Sequence, residues 1–374
     1  MIKVLMFNKL HHAYRGGVER SVCTLCNELK DKVAITVLAA NTICKTERDN
    51  RDGYPVIRVA SLGSIMSSVH LSFGIPFWWN KIDYDLVHFH FPSPVAELYC
   101  LALTDRKKPI VVTYHSDIVG RRVALSVYRP FLRQFFKRTS RIIATSEAMV
   151  AQSPFLSAFK EKCTVIPLGI DVGKFNVNEV VRAGSRAIQE KFCKPLVLFV
   201  GRLVKYKGTE YLIRAMQHVP AVLLVVGDGP EAPRLKKIVQ ECGLADKVIF
   251  LGEISDGDLP IYYHASQCVV LPSVANNEAF GITQLEAQAC ARPVISTSLV
   301  TGVSFVNLDG VTGIIVPPRS SAALSAAINR LLGDSGLCAR LGQAGRQRVE
   351  AQFSSTLMAE KTFTLYKEVL SSAR

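Results

Sequence analysis

No apolar run in the chain reaches the roughly 18 residues needed to cross a bilayer. The opening residues, MIKVLMFNKLHH, lack the apolar core and small-residue cleavage site of a secretory leader. They read as a buried first strand, and a cytosolic chain is expected. The ten cysteines are scattered, and a cytosolic chain keeps them reduced, which argues against a disulfide framework. The one CxxC, Cys23 and Cys26, has no second pair and sits in a helical pattern. Two small core residues are a simpler reading of it than zinc or redox chemistry. There is no low-complexity tract and no short repeat, and no GxGxxG follows a strand, which speaks against a dinucleotide oxidoreductase. Negative charge is scarce: 31 acidic residues face 45 basic ones, for a net +14. Residues 1–180 carry +9 of that excess and the remainder +5. Such a balance points to an anionic partner, and nucleic acid, an anionic membrane surface and a phosphorylated substrate all satisfy it.

What is present is an alternation of short β-branched runs with helical spacing. IKVLMF (2–7), VAITVLAA (33–40), DLVHFH (85–90), PIVVTYH (109–115), RIIATS (141–146) and CTVIPLG (163–169) form a first series of strands. PLVLFVG (195–201), AVLLVVG (221–227), KVIFLG (247–252), QCVVLP (267–272) and RPVIST (292–297) form a second. Between them Asn176 to Lys194 is polar and poor in strand formers, so a linker is expected at 172–194. A chain of 374 residues exceeds one ordinary hydrophobic core. The pattern predicts two doubly wound α/β domains, which bind ligands at the carboxyl ends of their strands.

Three places carry candidate chemistry. Gly16 and Gly17 follow the first strand and open a helix, where backbone N–H groups can approach an anion; a tight structural turn explains them equally well. In GRLVKYKG (201–208), Arg202 and Lys207 are two cations suited to a diphosphate, though a solvated basic loop has the same composition. GDGPE (227–231) reads as a structural turn. In PSVANNEAFGITQLEAQACARPVI (272–295), Glu278 and Glu286 flank Phe280, Gly281 and Ile282. A helix starting near Gly281 would aim those backbone N–H groups outward and set Glu286 more than a turn inside. Paired carboxylates of this kind can accept hydrogen bonds from vicinal sugar hydroxyls. His88 and His90 share one strand face and imitate a metal pair. Asp256-Gly257-Asp258 imitates a DxD metal motif, but as it precedes a helix a cap is the better reading.

Taken in order, GGVERS, VHFHFP (87–92), TYHSD (113–117), VIPLGID (165–171), GRLVKYKG, GDGP, the E-x7-E pair and DGVTGIIVPP (309–318) resemble the GT-B-fold retaining glycosyltransferases of family 4. Within that family, TYHSD, VIPLGID and TGVSFVNLDGVTG (301–313) are similar to bacterial mannosyltransferases of O-antigen and polysaccharide assembly. The resemblance implies two Rossmann-like domains facing a central cleft, residues 1–180 on the acceptor side and 181–355 on the nucleotide-sugar side. A helix of about 356–374 would pack back on the first domain. It implies that Arg202 and Lys207 hold the donor diphosphate, Glu286 the ribose and Glu278 the sugar hydroxyls. The backbone of Phe280, Gly281 and Ile282 would meet sugar and phosphate, Gly16 and Gly17 would close over the phosphates, and His115 would sit opposite the anomeric carbon. No metal and no cofactor beyond the nucleotide sugar, GDP-mannose, is implied; a UDP sugar is the alternative donor, and a nucleotide-sugar epimerase or a non-catalytic binding protein are rival readings. The chain departs from the family at AQACARPVI, where Ala291 and Arg292 replace a glycine turn.

On the acceptor side, SVYRPFLRQFFKRTSR (126–141) sets Arg129, Arg133, Lys137, Arg138 and Arg141 beside an apolar stripe with Phe135 and Phe136. Such a helix could rest on anionic lipid beside a lipid-linked saccharide acceptor, or bury its stripe on the sheet. Ile65 to Trp79 offers a second apolar contact. The expected partners are thus a nucleotide sugar, a lipid-linked acceptor and an anionic membrane surface, without nucleic acid. The expected location is the inner face of the cytoplasmic membrane.

Overall fold

The computed structural model describes residues 1–10, 16–50, 52–62, 64–65, 69–70, 72–118 and 122–372. They divide into two units, one of Met1–Gly169 with Ser355–Arg374 and one of Ile170–Ser354.

In the first unit the strands are β1 (Lys3–Asn8), β2 (Ala34–Ala40), β3 (Glu47–Asp49), β4 (Val56–Val59), β5 (Ser64–Ile65), β6 (Val69–His70), β7 (Leu86–Phe91), β8 (Ile110–Tyr114), β9 (Arg141–Ala144) and β10 (Cys163–Val165). Its helices are α1 (Gly17–Leu29), α2 (Ile75–Trp79), α3 (Pro94–Leu103), α4 (Arg122–Arg138) and α5 (Glu147–Gln152). The main sheet runs β10-β9-β8-β7-β1-β2-β4-β3, parallel except for β3 at the edge. Every residue of β7, LVHFHF, is buried, as a strand covered on both faces requires.

The second unit contains α6 (Glu179–Phe192), β11 (Leu196–Val200), α7 (Thr209–Ala215), β12 (Val222–Val226), α8 (Ala232–Glu241), β13 (Val248–Gly252), α9 (Leu259–Ala265), β14 (Cys268–Leu271), α10 (Ile282–Ala289), β15 (Val294–Thr297), α11 (Val303–Val306), β16 (Gly313–Val316), α12 (Ser321–Gly333) and α13 (Ser335–Gln352). Its six-stranded sheet, β13-β12-β11-β14-β15-β16, is parallel throughout. Val197, Phe199, Leu223 and Val225 of the sheet pack with Ile213, Leu324 and Ile328 of the helices. The chain then returns to the first unit as α14 (Ser355–Ser372). Met358, Leu365 and Tyr366 of α14 share a core with Val22 and Leu25 of α1, and the Ser355 hydroxyl donates to Glu28 Oε1 at 2.6 Å.

The segment expected as a linker is a helix. The Asn178 side chain accepts the Val181 N–H at 2.9 Å and starts α6, which packs on α9 of the second unit. The change of unit falls earlier than 180, between Gly169 and Ile170. A shortage of strand formers says nothing against a helix, and the N-cap asparagine was the overlooked signal.

After α10 the turn that a glycine usually makes is formed by Ala291 at φ 52°. A Cβ at Gly342 would stand 2.1 Å from the Ala291 carbonyl oxygen, so α13 packs directly against this turn. The left-handed conformation strains an L-residue, and Ala291→Gly is expected to raise stability by about 0.5–1 kcal/mol. Urea unfolding followed by circular dichroism checks this; an unmoved or lowered midpoint would mean that the turn is unstrained.

Among the described residues no helix is long and apolar enough to cross a membrane.

Candidate functional site

In the second unit, β11 leads through β12 to β13 while β14 leads through β15 to β16 on the other side. The connections leaving β11 and β14 therefore diverge and open a crevice at the carboxyl ends of the strands. GRLVKYKG follows β11 there, and PSVANNEAFGI follows β14. The structure brings two of the predicted residues into direct contact. Lys207 Nζ lies 2.6 Å from Glu278 Oε2, and both side chains are buried. The Ser273 hydroxyl donates to the same oxygen at 2.8 Å. Glu286 is buried within α10 and accepts the Tyr263 hydroxyl at 2.6 Å on Oε2. Burial by itself would make Lys207 release its proton. The pull of Glu278, Tyr206 and Glu286 outweighs that, and its pKa lies above the usual lysine value. Arg202 lies on the same loop but is exposed. The result is one exposed and one buried cation beside two buried carboxylates, all after neighbouring strands.

The helix of the E-x7-E segment starts at Ile282, and Gly281 supplies its left-handed entry at φ +75°. A Cβ there would stand 2.7 Å from both Leu271 Cδ2 and Gln284 Nε2, so only glycine fits. The Phe280 ring packs on Phe353, their centroids 6.1 Å apart, which leaves the Phe280 backbone rather than its side chain to meet a ligand. GDGPE backs this site. Leu203 N–H donates to the Asp228 carbonyl at 2.9 Å, and a Cβ at Gly229 would stand 2.5 Å from the Leu203 carbonyl oxygen. Sequence reasoning missed Tyr263 and Ser273, which orient the two carboxylates. It also missed Thr209, whose buried Oγ1 has no hydrogen-bond partner among the described residues. Asp258 leads into α9 without a side-chain cap bond; the Ser255 hydroxyl donates to its Oδ2 at 2.7 Å instead.

In the first unit the strand order reverses between β1 and β7. Gly16 is the cap residue of α1 and Gly17 its first residue. His11 to Arg15, between β1 and this helix, lie outside the described residues. His115, just past β8, joins a buried column. Its Nε2 lies 2.9 Å from His90 Nδ1, His90 Nε2 lies 3.1 Å from Met6 Sδ, and the His88 and His90 rings stack at 4.6 Å. His88 in turn meets Thr113 Oγ1 at 2.7 Å and the Tyr366 hydroxyl of α14. A thioether only accepts, so His90 Nε2 carries the proton and His90 Nδ1 accepts from His115 Nε2–H. His115 Nδ1 is thereby left as an acceptor. Burial pushes His115 down to about 4, and burial followed by the field of His115 pushes His88 to about 3, so both rings are neutral. Both His88 nitrogens are thus taken by hydroxyl partners, those of a core histidine.

Another unpredicted group lies after β7. Glu97 is fully buried in α3, accepts the Ser93 N–H at 2.8 Å and the Tyr128 hydroxyl, and is pushed up to about 7 by burial against the effect of those two bonds.

The expected membrane patch is corrected in part. Phe135 and Phe136 of α4 are not surface residues: both are fully buried, Phe135 against Phe89 and Phe136 against Phe91, Tyr114 and Phe159. An apolar stripe cannot say from sequence which neighbour covers it, and here it is the sheet. Arg129, Arg133 and Lys137 are exposed. Arg138 is half-buried and donates to the carbonyls of Asp105 and Lys108 at 2.7 Å each. Of the second apolar segment, Trp79 is buried against Phe7 and Tyr84, while Phe73 and Phe77 are exposed.

Comparison with known proteins agrees with this arrangement. A family model described as Glycosyltransferase Family 4 matches residues 15–174, and one described as Glycosyl transferases group 1 matches residues 184–348. The chain is 35% identical to the O-antigen chain mannosyltransferase C of Escherichia coli over 78% of its own length and 77% of the relative's. It is also 35% identical to the D-rhamnosyltransferase WbpZ of Pseudomonas aeruginosa, over 95% and 93% respectively. Among solved structures, the sucrose-phosphate synthase of Thermosynechococcus elongatus superposes over the whole of both chains with a TM-score of 0.82 at 24% identity, which speaks for the fold alone. Two parallel-sheet α/β units, with buried acid–base groups at the switch point of the second, and relatives of this closeness place the chain among the GT-B glycosyltransferases of family 4.

Proposed function

We propose that the protein transfers mannose from GDP-mannose, with retention at the anomeric carbon, to a hydroxyl of a lipid-linked saccharide in the assembly of a bacterial surface polysaccharide. The observation that carries this reading is the Lys207–Glu278 pair beside Glu286 at the switch point of the second unit. Arg202 and Lys207 take the donor diphosphate and stabilise the charge that develops as it leaves. Glu278, freed from Lys207 by that exchange of partners, accepts sugar hydroxyls, and Glu286, steadied by Tyr263, accepts those of the ribose. The backbone of Phe280, Gly281 and Ile282 meets sugar and phosphate. Gly16 and Gly17 allow close approach of the first-unit loop. His115 offers its Nδ1 lone pair to a donor-sugar hydroxyl. The acceptor attacks from the face that the nucleotide leaves, and the departing phosphate takes the acceptor proton, so no dedicated carboxylate base is required. The exposed Arg129, Arg133 and Lys137 face an anionic membrane at the cytoplasmic side.

Mannose is favoured by the mannosyltransferase relative, while the equally similar D-rhamnosyltransferase supports a second reading in which the transferred sugar is D-rhamnose. Donor hydrolysis with GDP-mannose, GDP-D-rhamnose, UDP-glucose, UDP-galactose and UDP-N-acetylglucosamine, for wild type and Glu278→Ala, decides among them. GDP-mannose turnover that the substitution abolishes is the expected result. Preference for GDP-D-rhamnose or a UDP sugar overturns the donor and keeps the transferase; silence with all five, with no stabilisation by GDP or UDP, overturns both.

A further inference from the structure

At the amino ends of β8 and β9, opposite the end of β8 that leads to His115, the first unit holds a cavity of about 350 Å³. Arg106, Lys107, Lys108, Arg138 and Arg141 line it together with Val369 and Ser372 of α14, and among the described residues no carboxylate lines it. Part of this charge is explained by the fold. The carboxyl end of a helix carries about half a negative charge, and Lys162 Nζ donates to the carbonyls of Lys137 and Thr139 at 2.7 and 2.8 Å where α4 ends. Arg138 is fixed by its two carbonyl bonds, and Lys108 Nζ donates to the Tyr84 carbonyl at 2.6 Å and lies 4.2 Å from the centre of that ring. Arg106, Lys107 and Arg141 are exposed and exceed what these helix ends need. Lys162 senses the excess. Burial first, then repulsion from Arg141 and Arg138 acting against the pull of Glu161, holds its pKa below the usual lysine value.

We propose that this cavity binds an anionic phosphoryl group, with Arg138 as the fixed wall and Arg106 and Arg141 closing on the anion. Arginine forks pair with phosphate oxygens in two-point contacts, and two anchored cations lower the ordering cost of the site. A free diphosphate and the phosphate of an anionic lipid headgroup share this chemistry. The test uses the full chain and its Arg106→Ser, Arg141→Ser double variant, both positions being exposed. Inorganic pyrophosphate is titrated by calorimetry at fixed ionic strength, and pelleting with phosphatidylglycerol vesicles is compared with phosphatidylcholine vesicles. Lys32→Ser, Lys160→Ser, at two exposed positions, controls for loss of two positive charges elsewhere on this unit.

At least a tenfold loss of one pyrophosphate-binding event in the first variant, but not in the control, establishes the cavity as a site for free phosphate. Loss of phosphatidylglycerol pelleting in the first variant, with pyrophosphate binding weak in every protein, assigns it to lipid phosphate. Titration and pelleting that match wild type, or that fall equally in the control, overturn the proposal. Because the comparison is between variants of this cavity alone, its outcome does not depend on the donor or on the transfer reaction.

Discussion

Lys207→Met will lower glycosyl transfer by roughly two to three orders of magnitude and destabilise the second unit by about 3–5 kcal/mol. Adding Glu278→Gln will restore most of the stability and none of the activity. The two losses have different origins. Catalysis loses the buried cation that meets the departing diphosphate. Folding loses the counter-charge of a carboxylate that is itself buried. Glutamine removes the stranded charge and still accepts the Ser273 hydroxyl. Single-turnover assays with the preferred donor, together with urea unfolding of the single and double variants, separate the terms. Recovery of activity in the double variant would show that Lys207 serves only to hold Glu278.

Acid will destabilise the first unit by several kcal/mol between pH 6.5 and 4. His115 and His88 have folded pKa values near 4 and 3 against an ordinary 6.5, so the unfolded chain binds more protons throughout that window. Their contribution is complete above pH 6.5 and is lost as the pH falls towards the folded values; each unit of depression is worth about 1.4 kcal/mol. Thr113 and Tyr366, which hydrogen-bond the His88 ring, carry hydroxyls and not carboxylates. Glu97 acts in the opposite sense. Its folded pKa near 7 lies above the ordinary 4.5, so its contribution is present below 4.5 and lost as the pH rises through 7. Two depressed histidines outweigh one raised carboxyl, and Glu97→Gln should steepen the acid loss. Both tryptophans, Trp78 and Trp79, lie in α2, and their fluorescence during urea unfolding therefore reports this unit alone. A stability flat from pH 7 to 4.5 would contradict the neutral His88 and His115 rings.

The two sheets were legible because their long strands are continuous apolar runs, and the runs that define the switch points were all found. Strands broken by a charge or opened by a glycine were not. VIRV of β4 contains Arg58, which is buried where Asp49 and Glu47 of β3 pair with it at 3.3 and 3.5 Å, and GIIV of β16 opens on a glycine. Lys207, Glu278 and Glu286 could be picked out as candidates from order and spacing, but the ion pair between the first two depends on β11 lying next to β14. Tyr263 and Ser273 carry no local signal, since a tyrosine in an apolar helix reads as core until the carboxylate opposite it is known. The same reason hid the basic cavity. Arg106 to Lys108 and Arg138 to Arg141 precede two strands that become neighbours only in the sheet.

The return of α14 to the first unit has a consequence for how the protein is made. A ribosome synthesises the second unit as one uninterrupted stretch, and that unit can close as soon as Ser354 has emerged. The first unit, begun earlier, waits longer. The faces of Val22 and Leu25, and His88 Nδ1, stay uncovered until Met358, Leu365 and Tyr366 are translated. The half of the protein made first is therefore finished last, and its unpaired core is exposed to chaperones and to other nascent chains for the whole time the second half is being built.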